Sequence, residues 1–144
     1  MAPARDSSSL LREAGLRATA ARVALLNALC ATHKPLKAAE LRRSAGRGMD
    51  LVTVYRAMDA LEKAGLAKRI GVDRTSASWE FAHRAHHHHL VCRGCGELED
   101  VGECAVEGLE KRVLGKSKRF ASVSDHSLEF FGTCRDCASA ARAA

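Results

Sequence analysis

What the chain lacks narrows it first. No apolar run approaches the roughly 18 to 20 residues of a membrane-spanning helix. The longest uncharged one, around Val23 to Ala31, falls far short. The opening MAPARDSSS holds no apolar segment, so no secretory signal is expected and a cytoplasmic location follows. The metallohydrolase and deaminase signatures (HExxH, or HxE followed by PCxxC) are missing, as are GxSxG and a phosphate-binding loop. Catalysis is therefore not expected. Without export there is no oxidising compartment, so paired cysteines read as metal ligands rather than disulfides.

What is present describes a globular chain of 144 residues, one domain of ordinary size or two small ones, with 47% apolar and 28% charged residues. The net charge of +6 is unevenly spread. Residues 1–85 carry 15 Lys and Arg against 8 Asp and Glu, whereas residues 86–144 carry 8 against 9. A basic half beside a neutral half points to a polyanionic partner for the first and a different task for the second. Histidine and cysteine concentrate in that second part: only His33 and Cys30 lie before position 82.

The first 65 residues read as helices. LLREAG is short and ends at Gly15; Thr19 caps a second helix through Cys30; Pro35 breaks the chain; a third runs from Lys37 to Ala45. Asp50 caps a fourth, LVTVYRAMDALEKAG, in which Leu51, Val54, Met58 and Leu61 form the apolar stripe. Its other face keeps Thr53, Tyr55, Arg56, Asp59, Ala60 and Lys63. Two short helices joined by a Gly-containing turn are the skeleton of a helix-turn-helix, and Thr53, Tyr55 and Arg56 near the start of the second suit base edges and phosphates. An ordinary amphipathic helix with a solvated face is the plainer alternative. The next segment favours DNA: LAKRIGV and ASWEFA flank a polar DRTS turn, a hairpin in the position of a wing, where Lys68, Arg69 and Arg74 would place charge beside a phosphate backbone. HRAHHHH (83–89) then reads as a hinge, and the remainder as β, β, α, β with an unconstrained ASAARAA tail.

The second half carries the metal chemistry. Cys92, Cys95, Cys134 and Cys137 form two C-x-x-C knuckles, CRGC and CRDC, which together complete a tetrahedral sulfur site suited to structural Zn2+. A redox motif would appear once, near a βαβ unit. Four thiolates leave no open position for catalysis. In the run His86 to His89, alternate side chains of an extended strand face opposite ways, so His86 and His88 would serve one site and His87 and His89 another. A surface histidine cluster with incidental metal affinity is the bland reading. Candidate partners are Glu80 at the end of the wing, Asp100 on the next strand, His33 in the basic half, and Glu107 and His126 in the later helix and strand.

These motifs have a family resemblance. GLRATAAR, LVTVYRAMDALEKAGL, HHHHLVCRGCGELEDV and HSLEFFGTCRDC, in that order, resemble the ferric uptake regulator family of metal-sensing repressors, over nearly the whole chain. The resemblance implies an α+β protein: a winged helix-turn-helix DNA-binding domain (1–82), a His-rich hinge (83–89) and a small α/β dimerisation domain with a structural four-cysteine zinc site (90–144). It implies a homodimer on a double-stranded promoter operator, repressing when a regulatory metal is bound, with no membrane partner. Carried over by residue, Cys92, Cys95, Cys134 and Cys137 match the structural zinc site. His33, Glu80, His87, His89 and Asp100 match the regulatory site, and His86, His88, Glu107 and His126 an additional one. Tyr55 and Arg56 match the DNA-contacting helix. The sequence departs from the family where Pro35 occupies the usual place of the first-domain His, where the Glu107–His126 interval is longer, and where His88 replaces a common Asp. A regulatory set of histidines and carboxylates suits Fe2+ or Mn2+ by hardness, and imidazole also binds Zn2+. Iron is the preferred reading, with zinc-uptake control and peroxide sensing as alternatives. Cys30 and Cys104 read as packing residues or redox-sensitive thiols.

Overall fold

The structure is a computed structural model that describes residues 6–46, 48–71, 77–102 and 106–143. Expectations placed on the DRTS turn, on Arg74 and on Cys104 lie outside the described residues. The chain divides into two compact units, residues 1–84 and 85–144.

The first unit contains α1 (Ser7–Glu13), α2 (Ala20–Cys30), β1 (Leu36–Lys37), α3 (Ala38–Ser44), α4 (Leu51–Lys63), β2 (Ala67–Ile70) and β3 (Ser78–Phe81). Both predicted caps form: Thr19 Oγ1 accepts from the Arg22 N–H, and Asp50 Oδ1 accepts from the Thr53 N–H at 2.7 Å. Gly65 ends the α4 segment at φ +73°, a backbone state that favours glycine. The buried stripe of α4 is Val54, Ala57, Met58 and Leu61, while Leu51 is exposed in the first turn. These side chains pack with Leu11, Leu25, Leu26, Leu29, Leu41 and Trp79 into one core. The wing gains a strand that sequence reading does not supply: β1 pairs antiparallel with β3, so the sheet order is β1-β3-β2. Leu61 is fully buried in this core. Leu61→Ala is expected to cost roughly 2–5 kcal/mol. Chemical denaturation followed by the emission of Trp79, the single tryptophan, should show it as a lower midpoint.

The second unit contains β4 (His88–Cys92), β5 (Leu98–Val101), α5 (Leu109–Leu114), β6 (Glu129–Gly132) and α6 (Arg135–Ala143). Its sheet order is β5-β4-β6, with β4 antiparallel to β5 and parallel to β6. Three expectations are corrected. The tail is helical from Arg135, as its alanine content favours once the second knuckle starts the turn. The last strand covers only Glu129–Gly132, because only these residues pair with β4, so His126 sits on the irregular approach to it. Similarly, α5 begins at Leu109, leaving Glu107 in the preceding turn.

Candidate metal centres and nucleic-acid face

The parallel pairing of β4 with β6 sets Cys92 opposite Gly132, which brings the turn after β4 beside the start of α6. The four sulfurs of Cys92, Cys95, Cys134 and Cys137 then lie within 4.8 Å of one another. The thiols are free, and Cys95 Sγ stands 3.7 Å from Cys134 Sγ. Zinc at about 2.3 Å from each of four tetrahedral sulfurs requires S···S separations of about 3.8 Å, so the cluster fits that ion. The backbone is arranged for thiolate: the N–H groups of Cys134 and Gly94 each donate to Cys92 Sγ at 3.3 Å. Such donors, with Cys134 foremost and Cys95 next, pull the Cys92 thiol down to about 6. Crowding acts the other way at Cys137, which hydrogen bonding to the Cys134, Cys95 and Cys92 side chains pushes up to about 12. A dication among these sulfurs offsets that crowding. Gly94 permits the approach, since a Cβ there would lie 3.0 Å from Cys137 Sγ.

The histidine run separates into two sets as the strand alternation predicts. His86 Nε2 and His126 Nε2 each stand 3.3 Å from His88 Nε2, and the three rings form one cluster. His88 is 1% exposed; burial, then the surrounding imidazoles, hold it below the usual histidine range and therefore neutral, the form that ligates metal. Asp125 Oδ1 stands 3.7 Å from His86 Nδ1, and closer against the cluster is the carboxylate of Glu110, which sequence reasoning misses. Its Oε1 lies 2.6 Å from His126 Nδ1. A carboxylate accepting from Nδ1–H leaves Nε2 as the lone-pair side, facing His88. Glu107 is exposed and outside the group. The available signal was the over-long Glu107–His126 interval, which choosing Glu110 shortens.

The other set contains His87 and His89, whose rings meet edge to face at 4.7 Å. His89 is 2% exposed and lies across the β4–β5 ladder from Asp100, with Nε2 3.4 Å from Oδ1. In the first unit, Glu80 is buried on β3 and accepts from Arg84 at 2.9 Å. His33 is exposed between α2 and β1, and belongs to no metal-ligating cluster among the described residues.

On the other side of the chemistry, α4 exposes Thr53, Tyr55 and Arg56 together, one turn from its N-terminus. Lys68 is half-buried on β2. Arg69 is placed differently from a free backbone-binding cation: its Nη2 lies 3.2 Å from Asp59 and its Nε 3.2 Å from Glu62.

Comparison with known proteins agrees with this geometry. A sequence model of the Ferric uptake regulator family matches residues 13–131. The chain is 30% identical over 136 residues to the ferric uptake regulation protein of Legionella pneumophila, covering 92% of this chain and 98% of that one. It is 37% identical over 131 residues to the zinc uptake regulation protein of Mycobacterium tuberculosis, covering 88% and 98%. Among solved structures, the Vibrio cholerae ferric uptake regulator superposes with a TM-score of 0.74 at 28% identity, covering 90% of this chain and all of that one.

Proposed function

Because the chain belongs to the ferric uptake regulator family, whose members are transcription regulators and not enzymes, we propose that it is a metal-dependent repressor. In this reading it binds a promoter operator as a homodimer when Fe2+ fills a regulatory site. The observation that carries the reading is the four-cysteine cluster and the His86, His88, His126 cluster of the second unit, beside a basic first unit that exposes Thr53, Tyr55 and Arg56 on one helix. Cys92, Cys95, Cys134 and Cys137 would hold structural Zn2+. His86, His88 and His126 would hold an additional ion, with Glu110 rather than Glu107 orienting His126. The regulatory set is His87, His89 and Asp100 together with Glu80 and His33. A zinc or iron ion supplies a cross-link between such donors.

Donors from both units would favour one relative arrangement over others, and the free energy of binding then appears as a shift in population. Exposed Leu90 and Phe130, cross-strand neighbours on β4 and β6, give the second unit an apolar face suited to pairing two copies. A twofold dimer would present two α4 helices to half-sites of a pseudo-palindrome, with residues 1–82 reading DNA, 83–89 as hinge and 90–144 pairing the subunits.

Zinc sensing is the second reading, favoured by the 37% identity to a zinc uptake regulation protein. Anaerobic titration of Fe2+, Mn2+ and Zn2+ against a duplex selected from a random pool separates the two. Iron should strengthen binding most; the same rank held by zinc establishes the alternative, and no metal response overturns both. In the same assay Arg56→Ala should weaken binding at every metal level, by about 5- to 150-fold.

A further inference from the structure

Four side chains tie the α4 helix to the wing. Arg69 on β2 reaches Asp59 and Glu62 on α4, each at 3.2 Å, and its guanidinium lies 5.2 Å from the centre of the Trp79 ring. Trp79 on β3 is fully buried, and its Nε1–H donates to Glu62 Oε2 at 3.4 Å. Arg69 and Trp79 are direct partners in the β2–β3 ladder, so both side chains leave the same face of the sheet. One carboxylate, Glu62, thus receives both the cation and the indole of the wing. The edge of this assembly carries Tyr55, whose ring meets Trp79 at 5.7 Å and 68°.

From this arrangement we propose that Arg69, Glu62 and Trp79 form a positioning clamp that sets the pitch of α4 on the wing and holds Tyr55 in its reading pose. The inference rests on the DNA-binding reading above. Arg69 then acts through Tyr55 and is not itself a phosphate contact, because its charge is already engaged by two carboxylates. Specificity is the property such a clamp controls: electrostatic attraction to any duplex survives a small rotation of α4, whereas contacts to base edges do not.

The two views of this cluster predict different results for Glu62→Ala, since a charge effect alone acts on all duplexes alike and leaves the preference unchanged. Removing a carboxylate from a basic DNA-binding face strengthens attraction to every duplex. Loss of the clamp instead lowers preference. The measurement is the ratio of affinities for the selected duplex and a scrambled one of equal length, for wild type and for the variants Glu62→Ala and Arg69→Met. Thermal unfolding followed by Trp79 emission controls for the fold. The expected ratio falls about tenfold in each variant, with unfolding close to wild type and Glu62→Gln partly restoring it. For Arg69→Met the salt slope should stay at the wild-type value, since a true phosphate contact would take about 0.9 from it. In a Tyr55→Ala background, Glu62→Ala should change the ratio no further, which identifies Tyr55 as the residue acted through. An unchanged ratio in Glu62→Ala, or a reduced salt slope in Arg69→Met, overturns the clamp. Failure of wild-type protein to enrich any duplex overturns the DNA-binding reading, and the clamp's role with it.

Discussion

Cys134→Ser should unfold residues 85–144 and leave the transition of residues 1–84 in place. The reason lies in what the second unit buries. Among its described residues only His88, His89 and Cys92 are buried, and all three belong to the donor clusters or neighbour them. Leu90, Val113, Phe120 and Phe130 are exposed, and the other described large apolar side chains, Leu98, Leu128 and Phe131 among them, are only half-buried. The first unit, by contrast, encloses Leu11, Leu25, Leu26, Leu41, Met58 and Trp79 completely. A unit this small with so little apolar burial needs a staple. Four thiolates on one ion supply it, since structural zinc sites in small peptides contribute about 10–16 kcal/mol of apparent binding energy to folding. Serine in place of Cys134 loses a ligand, and also the Sγ that receives the Cys137 N–H at 3.5 Å. Calorimetry with and without a strong chelator checks this. Wild type should lose the second unit's transition on chelation, and the variant should lack it from the start. A second unit that melts normally after zinc removal would contradict the assignment.

Legibility in the sequence followed the range of the interactions. Thr19 and Asp50 were readable as caps because a cap is decided within four residues. The two cysteine knuckles and the two histidine sets were readable for the same reason: spacing within a turn or along a strand fixes which atoms can meet. Strand β1 was not, because Leu36 and Lys37 become a strand only by pairing with Trp79 and Ser78, some forty positions away. The surroundings of Arg69 were hidden in the same manner. Its basicity is local, but the carboxylates that engage it are 7 and 10 residues earlier, across the α4–β2 junction. Glu110 went unread because α5 starts only at Leu109, and helix starts are weakly marked when the N-cap is a glycine, as Gly108 is here. The alanine-rich tail was read as loose although alanine is the strongest helix former.

His89→Ala should abolish the metal dependence of DNA binding, and it should do so without the general weakening expected of Arg56→Ala. His89 is 2% exposed and faces Asp100 across the β4–β5 ladder, so packing and that carboxylate orient its ring. Preorganisation of that kind keeps the ordering cost of binding small. If the His87 and His89 set is regulatory, wild-type affinity for the selected duplex should rise by about 5- to 150-fold with saturating metal, and the variant's by a factor near one. Linkage sets a second requirement: the duplex must tighten metal binding by the same factor in wild type and by none in the variant. Arg56→Ala should keep the factor while lowering affinity with and without metal. His86→Ala, from the set on the opposite face, serves as the control for general damage to the sheet, and calorimetry of residues 85–144 shows whether either variant unfolds them. A His89→Ala protein that keeps its fold and the full metal factor would remove His89 from the regulatory site. If His86→Ala abolished the factor instead, the regulatory assignment would pass to the set of His86, His88 and His126.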